Sequence, residues 1–186
     1  MRLRSEISQV VGLGPKAQQP SRANLKRMKY LGCVIRESLR LYPPVPVNAR
    51  AAVKTTTLPT GGGTDGKAPV LVRKGETVSY SPYVMHRRKD IYGDDATKFR
   101  PERWEDGRLD NVGYGYLPFN AGPRACLGQD YAMLEISYTI ARLMQHFPSM
   151  VAADDSRAPE IGNERQTLSL VLLCEDGCWV KLRGTE

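Results

Sequence analysis

The sequence predicts an α+β chain, mainly α with small β-sheets, on three observations. Residues 25–41 and 127–146 each repeat apolar side chains at helical spacing. Short β-branched or alternating runs lie between and after them, near 51–57, 70–72, 77–80, 168–174 and 178–182. Glycine and proline punctuation, such as Pro43-Pro44, Gly61-Gly62-Gly63 and Lys74-Gly75, separates these runs. At 186 residues the chain is long enough for one domain with a real core.

Each element has its own justification. Residues 1–20 read as a helix tail followed by a polar loop rich in Gly, Pro and Gln. The helix over 25–41 is expected to be capped by Asn24 and is stopped by Pro43-Pro44. A strand over 51–57 leads into a glycine-rich loop over 60–66, too poor in helix formers to be anything longer. Strands over 70–72 and 77–80 flank the Lys74-Gly75 turn. Residues 81–90 carry a short helix, and 94–120 form a meander with little periodicity. A stretch so irregular needs side chains that pin it. The helix over 127–146 presents Leu127, Tyr131, Leu134, Ile136, Ser137, Ile140, Ala141 and Met144 along one broad face. Segments 168–174 and 178–182 close the chain as a hairpin, and no internal repeat is visible.

Composition excludes several classes. No stretch approaches about 18 consecutive apolar residues, so nothing in the sequence spans a membrane, and no signal peptide is visible. Four cysteines lack the pattern of a secreted scaffold and fit a reducing compartment. Cys174 and Cys178 flank the turn Glu175-Asp176-Gly177 and read as free thiols of a hairpin; His86 and His146 read as structural. Net charge is +7, and the run Arg87-Arg88-Lys89 with Lys98 and Arg100 concentrates part of it. Two readings fit that run: a solvated face, or a docking surface for an acidic electron-transfer partner. Nucleic acid is not supported, because no aromatic–basic interleaving or recognition helix accompanies the charge.

The densest signal is Phe119-Asn120-Ala121-Gly122-Pro123-Arg124-Ala125-Cys126-Leu127-Gly128. Gly122-Pro123 marks a turn, with glycine free to take positive φ and proline holding φ near about −65°. Cys126 falls at the start of the following helix, where unpaired N–H groups and the helix dipole favour a thiolate. A free thiol has a pKa of about 8.5, and a coordinating metal removes its proton outright. Zinc is disfavoured, since no second cysteine or histidine lies at ligand spacing around Cys126. A lone cysteine would be read as a small buried hydrophobe, but here Phe119, Gly122, Arg124 and Gly128 hold fixed spacings around it.

This frame resembles the haem-binding loop of the cytochrome P-450 superfamily, and two further motifs agree with it in order and distance. Glu37-Ser38-Leu39-Arg40 is an E-x-x-R motif whose charges share one helical face. Pro101-Glu102-Arg103-Trp104 is similar to the family's P-E-R-F element, with tryptophan in place of phenylalanine. The resemblance implies the C-terminal part of that fold and a buried ionic network of Glu37, Arg40 and Arg103. It makes Cys126 the ligand of the iron in haem (iron protoporphyrin IX). It places Phe119 over the sulfur side of the macrocycle and Gly128 where backbone and cofactor approach closely. Gly122 makes the loop's turn, and Arg124 and Arg50 meet the propionates. No protein residue of this chain beyond that ligand is expected to be catalytic.

The wording around 41–50 and 83–104 is most similar to fungal members that hydroxylate n-alkanes and fatty acids. Such a haem-thiolate monooxygenase uses dioxygen, an apolar substrate, and electrons from NADPH passed on by a separate flavoprotein reductase. The intact family member is anchored at the endoplasmic reticulum membrane. Residues 44–48 and the turn at 175–177 would border the substrate pocket; Val45, Pro46 and Val47 suit a lipid-like substrate, although core packing explains them equally well.

Everything matched belongs to the C-terminal portion of a family more than twice this length. Residues 1–186 are therefore expected to be a single such portion, with the distal oxygen-activating helix upstream of Met1. Thr60-Gly61-Gly62-Gly63-Thr64 lacks that helix's acid and falls after the E-x-x-R segment instead of before it. Two alternatives follow: a relative that rearranges or reduces substrates without activating oxygen, or a truncated, inactive and poorly soluble product.

Overall fold

The computed structural model describes residues 2–147, 149–153 and 164–183. Helices α1 (Arg2–Val11), α2 (Arg22–Arg27) and α3 (Lys29–Leu41) lead into strands β1 (Asn48–Ala51), β2 (Thr56–Gly62), β3 (Ala68–Val72) and β4 (Thr77–Tyr80). Short helices α4 (Pro82–Met85) and α5 (Lys89–Tyr92) follow. An irregular course then carries 3-10 turns at Pro101–Trp104, Gly113–Gly115 and Gly122–Arg124. The long helix α6 (Gln129–His146) precedes β5 (Ser149–Ala152), β6 (Gln166–Leu168), β7 (Leu172–Cys174) and β8 (Val180–Arg183). Among the described residues the strands form four antiparallel pairs: β1–β4, β2–β3, β5–β8 and β6–β7. The class is α+β, with small sheets beside a helical core.

The expected helix over 25–41 is in fact two helices, broken at Met28, whose ψ of 82° is not helical. Asn24 is not the cap. Ser21 is: its Oγ accepts from the Asn24 N–H at 3.2 Å, while Asn24 Oδ1 accepts from the Ser21 N–H at 3.0 Å. Such a reciprocal box satisfies two end-of-helix donors at once. The break survives because α1 supplies a cap for α3. The Glu6 carboxylate accepts the N–H groups of Tyr30 and Leu31, each at 2.8 Å. A negative charge at that helix end also meets the favourable pole of the dipole.

Other boundaries moved for equally local reasons. Ala52 exchanges backbone bonds with Glu76 (2.9 Å) and Gly75 (2.8 Å), closing the β1–β4 ladder, so the expected strand over 51–57 splits in two. Strand β2 then runs on to Gly62, into what reads in sequence as loop. A Cβ at Gly62 would stand 2.8 Å from the Pro69 carbonyl oxygen, so only glycine lets the ribbon close there. The short helix expected over 81–90 divides into α4 and α5, the first capped by Ser81 Oγ on the Val84 N–H. The terminal hairpin pairs differently from expectation: β6 joins β7, and β8 joins β5. One edge of β7 is occupied by β6, a pairing that the Glu175 N–H continues to the Arg165 carbonyl at 2.9 Å, and the Leu172 N–H is spent on the Pro44 carbonyl at 2.7 Å.

The main core lies where α1, α2, α3 and α6 meet. Ile7, Val11, Leu25, Met28, Leu31, Ile35, Leu39 and Ala141 are buried together, with Met133, Ile136, Ile140 and Met144 packed against them. Helix α6 starts at Gln129, two residues later than its periodicity suggests, which leaves Leu127 in the preceding loop. Leu127, Tyr131 and Leu134, expected on the inward face, are exposed; Met133 joins the expected Ile136, Ile140, Ala141 and Met144 in the inward stripe. Buried Gln145 ties α6 to the loop after α1, its Nε2 donating to the Gln18 carbonyl at 2.8 Å. A second cluster of Cys33, Tyr92, Ala96 and Trp104 joins the outer side of α3 to the irregular course.

Glu6→Ala uncovers two N–H groups at the start of α3. We expect it to lower stability by about 1–2 kcal/mol, read as a reduced urea midpoint at unchanged slope.

Candidate functional site

The site grows from α3. Glu37 and Arg40, three residues apart, point the same way from the helix and are both fully buried. Arg40 forks onto the carboxylate, Nε to Oε2 at 2.9 Å and Nη2 to Oε1 at 2.8 Å. Arg103 donates Nε to Oε1 at 2.9 Å from the Pro101–Trp104 turn. The Arg100 N–H (2.9 Å) and the Trp104 indole N–H (3.0 Å) complete five donors on one carboxylate. Burial alone would raise the pKa of Glu37, but the bonds from Arg40, the Arg100 amide and Arg103 outweigh it and hold the group below the ordinary carboxylate range.

The guanidinium groups spend their remaining donors on backbone. Arg40 Nη1 reaches the carbonyls of His86 (2.7 Å) and Ala96 (2.6 Å). Arg103 reaches those of Tyr92 (3.0 Å) and Asp95 (3.0 Å), and the Asp95 carboxylate at 3.2 Å. One charged cluster therefore pins 86–103, a stretch with few backbone ladders of its own. His86 carries the fixation onward. Its Nε2 accepts the Leu117 N–H at 2.8 Å, which makes Nδ1 the protonated nitrogen facing the Arg40 carbonyl at 3.1 Å. Burial pushes its pKa down to about 4, despite the Arg40 carbonyl that favours the proton; the Arg40 and Arg87 charges lower it further. The ring is neutral near pH 7. Tyr116 packs between His86 and Trp104, with centroids 5.3 Å and 4.7 Å away.

Two residues beyond Leu117 the chain enters the cysteine loop. Gly122 has φ of 65°, the left-handed conformation a turn needs here, and opens the Gly122–Arg124 turn. The Cys126 N–H donates to the Phe119 carbonyl at 2.8 Å, closing the loop at its neck. Phe119 itself packs against the α1–α3–α6 core and fastens the inner side. Cys126 is an exposed free thiol two residues before Gly128, the N-cap of α6. Arg124 and Gly128 are exposed with it. A Cβ on Gly128 would sit 3.8 Å from the Cys126 sulfur, so glycine keeps that flank of the sulfur bare. Among the described residues the sulfur has no hydrogen-bond partner, and no group of three or more His, Cys, Asp or Glu could hold a metal. A cleft of about 180 Å³ lies behind the loop, between Arg36 and Asn120, smaller than ordinary ligand pockets.

Arg50 lies exposed on β1, its guanidinium on the Ala49 carbonyl at 2.7 Å and 5.8 Å from the centre of the Tyr80 ring. Tyr80 in turn donates to Asn120 Oδ1 at 2.7 Å, which connects this strand to the cysteine loop. Two cations of the basic run are paired within the chain and a third lies on a ring. Arg88 bonds Asp90, Arg100 lies 2.9 Å from Asp95, and Arg87 stacks on Tyr83 at 3.7 Å. Sequence reasoning missed the Trp104 N–H, the His86 link and the Tyr80–Asn120 bond. The tryptophan standing where phenylalanine is usual was the available signal for the first. The other two depend on partners 31 and 40 residues away.

The family described as Cytochrome P450 matches residues 1–173. A cytochrome P450 of Arthroderma benhamiae is 58% identical over 188 residues, covering 100% of this chain and 38% of that protein. Cytochrome P450 52A5 of Candida maltosa is 47% identical over 171 residues, 91% of this chain and 32% of its own. Cytochrome P450 monooxygenase g430 of Fusarium sp is 52% identical over 153 residues, 82% of this chain and 26% of its own. The chain thus spans about a third of the length of the curated relatives it matches.

Glu37→Gln leaves two buried arginines without their anion, and a loss of about 3–5 kcal/mol in urea unfolding is expected. Trp104→Phe removes one donor from the same carboxylate and should cost about 1.5–3 kcal/mol. His86 adds a pH signature. Its folded pKa lies below the unfolded value of 6.5, so stability is full above pH 6.5 and falls towards about 4, where the folded ring protonates. That gap amounts to about 3 kcal/mol at about 1.36 kcal/mol per unit. The Glu37 window lies lower: its stabilisation is full above about 4.3, the unfolded value, and is lost as pH falls from there through its depressed folded pKa. Urea titrations across pH 3–7, with and without His86→Asn, separate the two windows.

Proposed function

Because the chain belongs to the cytochrome P450 family, we propose that Cys126 ligates the iron of haem (iron protoporphyrin IX) in a monooxygenase that hydroxylates an apolar substrate, an n-alkane or fatty acid. The observation that carries this reading is a cysteine sulfur that is exposed and unpartnered among the described residues, held on a loop whose neck is fixed to the core. The donor set fits. A thiol that belongs to no group of three or more metal-binding side chains among the described residues suits a metal whose other positions are filled by a macrocycle. Haem bound there would supply the activation of dioxygen, with the thiolate donating electron density.

The chain's own residues would bind and orient. Cys126, two residues before the α6 N-cap, would hold the iron through its sulfur. The bare backbone at Gly128 lets a flat ring approach the sulfur. Phe119, at the loop's neck, would shield the sulfur side from water. Arg124 and Arg50, both exposed, are the cations available to carboxylates of the cofactor. The network of Glu37, Arg40 and Arg103 would have no chemical step; it keeps 86–117 in place and with it the entrance to the loop.

Electrons would come from NADPH through a separate flavoprotein reductase. The whole protein would be held at the endoplasmic reticulum membrane, as the family resemblance implies; no helix among the described residues is itself long and apolar enough to cross one. Exposed Val45 and Val47 suit an apolar substrate near β1.

The test is spectroscopic. The purified chain is given haem, reduced with dithionite and exposed to carbon monoxide. A red-shifted thiolate-type Soret band is expected, and it should vanish in Cys126→Ala. Failure to take up haem, or an unchanged band in that variant, would overturn the assignment.

A further inference from the structure

Asn120 is the one non-glycine residue with positive φ among the described residues, at 61°. It lies at the neck of the cysteine loop, next to Phe119, whose carbonyl accepts the Cys126 N–H. Asparagine visits this left-handed region more readily than most residues, yet still at a cost that glycine does not bear. Something must hold it. Its Oδ1 accepts the Tyr80 hydroxyl at 2.7 Å, across 40 residues of sequence. Among the described residues this is the sole side-chain hydrogen bond that reaches residues 119–128 from outside. The other hydrogen bonds at the loop among the described residues are backbone to backbone and local: the N–H groups of Asn120, Ala125, Cys126, Gln129 and Ala132 donate to the carbonyls of Leu117, Gly122, Phe119, Cys126 and Gly128 respectively.

Tyr80 is itself well placed to be a fixed point. It ends β4, paired with Asn48 of β1, and its ring lies under the Arg50 guanidinium at 5.8 Å. One phenol thus touches the strand that carries Arg50 by its face and the loop that carries Cys126 by its hydroxyl. Neither residue belongs to the ionic network, which fixes the chain only as far as Leu117.

We propose that Tyr80, acting through Asn120, is a positioning residue for Cys126: the strap sets the left-handed turn at the loop's neck and keeps the sulfur in register with Arg50. The proposal rests on the haem-thiolate reading for its purpose, though not for its existence. Without the hydroxyl the neck opens more often, and the sulfur samples a wider range of positions relative to the strand that carries Arg50.

The test uses the whole chain with Tyr80→Phe, which keeps the ring under Arg50, and with Asn120→Gly, which removes the acceptor without backbone strain. Before haem is added, hydrogen exchange at the Cys126 amide, which is bonded to the Phe119 carbonyl, reports loop opening. It should rise by about twofold to tenfold in either variant, the range that losing one hydrogen bond allows. The double variant should add nothing further, as two members of one bond are not additive. After haem is added, the ferrous carbon monoxide complex should shift part of its population from thiolate-type to thiol-type absorption in both variants. Asn120→Asp, which keeps an acceptor, should retain the original spectrum. Unchanged exchange in both variants, or fully additive effects, would overturn the strap. If no variant takes up haem, the cofactor reading fails while the exchange data still decide the coupling. If all variants give the same thiolate-type band, the positioning role fails and the cofactor reading stands.

Discussion

A carboxylate with no solvent contact is the constraint around which this chain is arranged. Glu37 could not be buried alone, because removing an unpaired ion from water costs several kcal/mol even after the protein relaxes. It is tolerable only with its donors in place, and those donors come from three parts of the chain: α3 itself, the Arg100 amide, and the Pro101–Trp104 turn. Meeting that requirement folds the irregular course against the helix. The two arginines then have donors left over, and they spend them on carbonyls of 86–98 that no strand or helix satisfies. A polar cluster here does what a sheet does elsewhere: it answers for the backbone of a segment with no regular partner.

From that anchor, order is passed along in short steps to the surface. His86 fixes Leu117, Phe119 enters the helical core, and the Phe119 carbonyl closes on the Cys126 N–H. The sulfur at the end of this line is exposed, while each preceding step is at least half buried. The arrangement gives a rigid base and a bare tip, which is what presenting one ligand atom to a large partner demands. The neutral state of His86 matters to it, because an imidazolium would lose its acceptor for the Leu117 N–H.

Much of the site was legible in sequence because its signals are local. The E-x-x-R spacing needs only helical geometry to place Glu37 and Arg40 together, and the cysteine frame carries its turn in Gly122-Pro123. Element boundaries were less legible. The break at Met28 depends on Glu6, a residue on another helix, and periodicity runs smoothly across it. Similarly, the segment at 178–182 looks like the partner of 168–174, but β7 pairs with β6 and sends its Leu172 N–H to the distant Pro44 carbonyl, while β8 pairs with β5. The outward position of Leu127, Tyr131 and Leu134 was hidden for the same reason: an apolar stripe says that a face wants cover, not which neighbour supplies it.

The amino-acid sequence by itself determined the chemistry on offer: one framed thiol, a carboxylate and arginine a helical turn apart, and a mixed helical and stranded chain. Only the tertiary structure decided which distant groups complete them. Arg103 stands 66 residues from Glu37, and Tyr80 stands 40 from Asn120. Spacing along a helix or turn is fixed by backbone geometry over a few residues. The choice among distant partners is fixed by burial, where a polar group left without one is too costly to keep.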